Sequence, residues 1–180
     1  MLRVNDSNLH CWGPSLTVSA PSGVFRSVTC TGLYCCAIHE ATSQYECFFS
    51  GYDVVTGTGP VTPPLDPTLT FEVMAPTVNM LCGLHTNGSI LCGTAAKANV
   101  TDNQLTMPPE LVFSSLATQK YSVCGILRDT GTVKCVGRAD VVAASSMLHE
   151  EQVIDLACAS SDDNIGNDCC VILANTLLVK

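Results

Sequence analysis

The chain has 180 residues, of which 12 are cysteine, 47% are apolar and only 13% are charged, and its mean hydropathy is +0.31. This composition excludes a disordered tail, and no unbroken apolar run is longer than Cys169-Cys170-Val171-Ile172-Leu173-Ala174, far shorter than the roughly 18 residues of a membrane-spanning helix. A net charge of -8 repels phosphate backbones and anionic headgroups, so neither nucleic acid nor membrane insertion is expected.

In chain order, Met1-Leu2-Arg3-Val4-Asn5-Asp6 has no apolar h-region and no small-residue cleavage site, so a secretory signal is not expected within this chain. Leu9-His10-Cys11-Trp12-Gly13 matches the second half of a hairpin and is taken as a partial unit, 9–13. A repeat follows: an apolar residue, another three positions on, a cysteine, and a further cysteine beyond a short turn. It occurs as Phe25, Val28, Cys36 and Cys47, then Phe71, Met74, Cys82 and Cys92, then Phe113, Leu116, Cys124 and Cys135, and finally Val153, Leu156 and Cys170. The spacing from leading residue to framework cysteine is 11 in the first three units and 17 in the last, which carries an insertion. The units cover approximately 25–52, 71–94, 113–138 and 153–180 of a single repeat domain.

Unit starts lie 46, 42 and 40 residues apart, the period of a four-stranded propeller blade. Within a unit, short β-type runs such as Val123-Cys124-Gly125-Ile126-Leu127 and Thr132-Val133-Lys134-Cys135 flank a turn, here Arg128-Asp129-Thr130-Gly131. The expected fold class is therefore all-β, a disulfide-stapled β-propeller of about four blade-like repeats, either whole or part of a larger one. The stretch Thr56 to Thr68, rich in Pro, Thr and Gly, reads as an extended surface connection and a candidate partner-binding or O-glycosylated loop. Residues 139–152 have helix-like composition between units and are expected to carry at most a short helix.

Twelve cysteines in 19.0 kDa without zinc-ribbon spacing point to disulfides and an oxidising compartment. Cysteines 10 or 11 apart across a hairpin turn can face each other on adjacent strands, giving Cys36–Cys47, Cys82–Cys92 and Cys124–Cys135. Cys30–Cys35 and Cys158–Cys169 occupy equivalent places before a framework cysteine. Cys11 and Cys170 are left over, with three readings open: a Cys11–Cys170 clasp closing a ring, a piece of a longer propeller, or head-to-tail pairing between chains. The sequons at Asn5, Asn87 and Asn99 fit a secretory route, with Asn87-Gly88 placed on a turn.

Other chemistry is sparse. His10, His39, His85 and His149 read as structural or surface groups, and neither a G-x-S-x-G elbow nor an H-E-x-x-H pair is present. No cofactor is expected. Asp162, Asn164 and Asp168 in the inserted loop have the even spacing of a calcium loop without its closing Glu, a weak metal candidate. Trp12, the only tryptophan, is expected to pack in a blade.

Tyr121-Ser122-Val123-Cys124-Gly125-Ile126-Leu127 with Lys134-Cys135-Val136-Gly137, Leu81-Cys82-Gly83-Leu84 with Leu91-Cys92-Gly93, and His10-Cys11-Trp12-Gly13 resemble repeats of the regulator-of-chromosome-condensation superfamily. The similarity is to its disulfide-containing branch in crinkly4-type receptor kinase ectodomains. That resemblance implies a β-propeller and extracellular recognition; the nucleotide-exchange activity of nuclear members is not carried over, because they lack the cysteine framework. The expected function is a non-catalytic extracellular interaction module at the cell surface, binding a protein or glycan ligand. The alternatives are a structural subunit of a filament or matrix that binds copies of itself through its termini, and a secreted hydrolase.

Overall fold

The computed structural model describes residues 9, 21–31, 34–49, 65–77, 80–94, 105–119, 121–148, 151–158 and 169–174. Alternating apolar positions and β-branched or aromatic residues favour strands here, and the described residues form three antiparallel sheets of three strands and one of two. Unit one holds β1 (Phe25–Cys30), β2 (Tyr34–His39) and β3 (Tyr45–Phe49), and unit two holds β4 (Phe71–Pro76), β5 (Met80–His85) and β6 (Ile90–Thr94). Unit three holds β7 (Phe113–Gln119), β8 (Ser122–Leu127) and β9 (Val133–Gly137), followed by α1 (Ala139–Ser146), and unit four holds β10 (Val153–Cys158) and β11 (Cys169–Leu173).

The propeller-type, all-β architecture is as the repeat implies, but the expected fourth strand of each blade is not found among the described residues. Between units three and four, part of the extra length in the repeat period is α1 instead.

Register is the same in every unit. Phe25, Phe71, Phe113 and Val153 face His39, His85, Leu127 and Leu173, and each inner strand then shifts register before its third residue. Further along, Cys36, Cys82 and Cys124 lie directly opposite Cys47, Cys92 and Cys135. Cys30 faces Cys35 and Cys158 faces Cys169 where the first two strands of their units meet. All five opposed pairs are joined as disulfides.

The core lies between sheets. Ile38 and Tyr45 of unit one pack with Phe71 and Met74 of unit two; Leu84 and Ile90 with Phe113 and Leu116; Ile126 and Val133 with Val153 and Leu156. Leu9, two positions before Cys11, packs with Phe25 at the start of unit one. It thus takes the place that Tyr45, Ile90 and Val133 take against the next unit. The inner strands β1, β4, β7 and β10 converge on a central cavity of about 490 Å3 whose wall includes the equivalent residues Thr29, Ala75, Ala117 and Ala157.

A backbone hydrogen bond repeats at each junction. Phe71, Phe113 and Val153 donate their N–H groups to the carbonyls of Ser43, Gly88 and Gly131 at 2.7, 2.7 and 2.8 Å. Those three turn residues have φ of 58°, 91° and 70°, the left-handed region that glycine enters most easily.

Side-chain size is matched beneath the leading residues of units two to four, whereas Phe25 of unit one packs on Ala37. A Cβ on Gly83 would lie 2.4 Å from the Phe71 ring, and one on Gly125 would lie 2.5 Å from the Phe113 ring and 2.7 Å from Ile90. Unit four, led by Val153 instead of Phe, carries Val171 at the matching position. Overpacking of this kind costs about 1–3 kcal/mol. Gly125→Val is therefore expected to lower stability by about that amount, with partial recovery when Phe113→Val is added to recreate the unit-four pairing. Urea unfolding of the two variants checks both expectations.

Candidate recognition surface

The turns joining the second and third strands of units one to three run through residues 40–44, 86–89 and 128–132. Because each docks on the first residue of the next inner strand, all three stand at one end of the blades. They are built from side chains that hydrogen-bond their own backbone. Asn87 Oδ1 accepts from the N–H and hydroxyl of Ser89 at 2.9 and 2.8 Å. The Thr42 hydroxyl accepts from the Gln44 N–H, and the Thr130 hydroxyl from the Thr132 N–H, both at 3.3 Å. Such closures favour the turn over an extended path. The exposed set Glu40, Thr42, Thr86, Asn87, Arg128, Asp129 and Thr130 presents hydroxyls, an amide and charges of both signs. That chemistry suits hydrogen bonding to a polar macromolecular surface.

The connection into β4 ends at this same end. Its described part begins at Leu65, whose carbonyl accepts the Tyr45 hydroxyl at 2.5 Å. Asp66 then accepts from the N–H and hydroxyl of Thr68 at 2.9 and 2.7 Å, which holds its carboxyl below the usual range. Residues 56–64 lie outside the described residues.

Two of the four sequence histidines are described, and both have structural roles. The His39 ring stacks on Phe25 at 4.4 Å and its Nε2 lies 3.3 Å from Glu46. His85 meets Phe71 edge-on at 5.9 Å, and its Nδ1 accepts the Asn87 N–H at 3.1 Å. His10 and His149 are outside the described residues, as are Cys11, Trp12, Asn5, Asn99 and the calcium candidates Asp162, Asn164 and Asp168. Asn87 is exposed on its turn.

The Sγ atoms of Cys124, Cys158 and Cys169 lie within 4.8 Å of one another. All three are held in disulfides, so they offer no thiolate to a metal. Cys170 is a free, exposed thiol. In β11 it occupies the framework position where Cys36, Cys82 and Cys124 are buried and bonded. Ile172 is likewise 58% exposed, although Ile38, Leu84 and Ile126 at the same position are 0%, 0% and 3% exposed. Cys170 was already left without a partner in its own unit by the sequence, whereas the exposure of Ile172 has no local signal.

No protein-family model matches the sequence, and no curated relative does. Solved structures do match. The ectodomain of the Physcomitrella patens receptor kinase CR4 aligns with a TM-score of 0.63 at 23% identity, over 88% of this chain and 40% of that one. The CRINKLY WD40 ectodomain of the Arabidopsis thaliana receptor kinase ACR4 aligns with a TM-score of 0.58 at 18% identity, over 86% of this chain and 52% of that one. The chain shares their fold. It spans about half or less of the length of either. No helix among the described residues is long and apolar enough to cross a membrane.

Two tyrosines tie the first two units together. Tyr34 donates its hydroxyl to the carbonyls of Thr77 and Met80 at 3.0 and 3.2 Å, and burial pushes its pKa up to about 12. Tyr45 is also pushed up to about 12, by burial and by the Asp66 charge. A folded-state pKa above the unfolded value means that the unfolded chain loses its proton first as pH rises. The stability these phenols contribute is complete below pH 10 and declines from there to about 12. Urea unfolding at stepped pH, with Cys170 alkylated, should show this decline, and Tyr45→Phe should flatten it.

Proposed function

We propose that this chain is part of an extracellular, non-catalytic recognition module in which stapled blades present turns to a protein or glycan partner. The observation that carries the reading is the repeated turn. Three equivalent polar turns, at residues 40–44, 86–89 and 128–132, are fixed at one end of the sheets by the same hydrogen bond. Rigid sheets that carry polar loops suit binding without chemistry. Five disulfides favour an oxidising compartment. The fold shared with receptor kinase ectodomains adds to the reading, and the Cys-Gly and Cys-x-Gly pairing supports treating the units as regulator-of-chromosome-condensation-like repeats.

A second reading, a structural subunit assembling through its ends, is favoured by the free exposed thiol of Cys170 on β11. Non-reducing peptide mapping and sedimentation of the secreted protein separate the two. A monomer in which Cys170 is unpaired or bonded to Cys11 of its own chain is expected for the module. Disulfide-linked multimers through Cys170 would make it a subunit instead. For the monomer, a binding screen against extracellular protein domains and glycans should yield a partner. Its affinity is expected to fall at least tenfold in a variant combining Thr86→Ala, Arg128→Ala and Asp129→Ala.

A further inference from the structure

In the turns gathered at one end of the blades, the residue before the left-handed one is Thr42 in unit one, Asn87 in unit two and Thr130 in unit three. Each offers a side-chain oxygen to the N–H two residues on, that of Gln44, Ser89 or Thr132. An oxygen acceptor is therefore what the turn requires at this position, and a threonine hydroxyl supplies it in units one and three. Unit two departs from the repeat by using an amide.

The two ends of that amide are used differently. Asn87 Oδ1 accepts from the N–H and the hydroxyl of Ser89 at 2.9 and 2.8 Å, and the backbone N–H of Asn87 donates to His85 Nδ1 at 3.1 Å. Its Nδ2 has no hydrogen-bond partner among the described residues, and the residue is exposed. A group attached at Nδ2 leaves all of these bonds in place. It also leaves the junction intact, because the Gly88 carbonyl still accepts the Phe113 N–H at 2.7 Å. The amide nitrogen is thus surplus to the fold.

The residues around it fit one modification. Asn87-Gly88-Ser89 is an N-x-S acceptor triplet without proline, and such acceptors belong on exposed loops of secreted proteins. The attachment point also stands beside the next turn, since a Cβ on Gly88 would lie 2.5 Å from Val112 and 3.3 Å from Arg128. Asn5 and Asn99, the other two acceptors, lie outside the described residues.

We propose that Asn87 carries an N-linked glycan at Nδ2, so that this end of the blades presents a sugar at unit two beside the bare turns of units one and three. The inference rests on the extracellular reading, which brings the chain into the compartment where such glycans are transferred. In the transfer, Nδ2 loses one proton and bonds to the anomeric carbon of the first sugar of a lipid-linked oligosaccharide, while the bond from that carbon to the lipid pyrophosphate breaks. Oδ1 keeps both of its bonds to Ser89, and a partner that grips Arg128 meets the sugar as well.

The full chain, secreted from a eukaryotic host behind a removable leader, is treated with peptide N-glycosidase in heavy-oxygen water without denaturation. Each released site becomes a labelled aspartate, and a parallel incubation without enzyme subtracts spontaneous deamidation of the Asn-Gly pair. Label at Asn87 is expected in most molecules. Asn87→Thr restores the closure used in units one and three, and Ser89→Ala removes the hydroxyl of the triplet while keeping the N–H bond; each should lose this glycan completely and retain the five disulfides. The proposal is overturned if Asn87 is unlabelled, or if label appears only after denaturation, since the sugar would then not stand free at the blade end. An unlabelled Asn87 with the disulfides intact leaves the extracellular reading standing, whereas unpaired framework cysteines as well would end both.

Discussion

Everything in this architecture depends on a single backbone hydrogen bond made three times. The N–H of each new unit's leading residue is taken by a carbonyl in the turn of the unit before it, from Ser43, Gly88 and Gly131. All three of these turn residues adopt the left-handed conformation. The bond fixes where the next inner strand begins. Phe71, Phe113 and Val153 then meet the preceding sheet at a constant place, and the apolar layer between sheets follows.

The disulfides serve a different purpose. A three-stranded sheet of this size, with one layer of apolar contact on either side, buries little surface by itself. Cross-strand bonds at directly opposed positions reduce the freedom of the unfolded chain and hold each hairpin in register. With register secured inside the units, the turns are free to carry polar residues chosen for their surface chemistry. In unit four, Cys170 and Ile172 are exposed at positions that are buried in the other units.

The framework was legible in the sequence because cysteine spacing and the leading aromatic recur together, and a strand's two-residue period leaves few registers that oppose the pairs. The short helix was also legible, since 139–152 has helix-like composition and Ala139 to Ser146 lacks Gly, Pro and strict alternation. Strand number was less so, and the described residues hold three strands in each of the first three units. A period near 42 residues is compatible with a fourth strand or with a long connection, and the choice depends on packing between units. The contact of Gln119 with Cys169 was equally hidden, since a lone glutamine at a strand end carries no signal until its neighbours in space are known.

The sequence by itself determined the repeat and the cysteine partners within each unit, because both are set by residues close in the chain. Only the tertiary structure decided that the inner strands share a central cavity, that the turns gather at one end, and that Gln119 of unit three donates to Cys169 of unit four. These features arise from contacts between residues tens of positions apart, whose geometry is fixed by how successive sheets pack rather than by any local pattern.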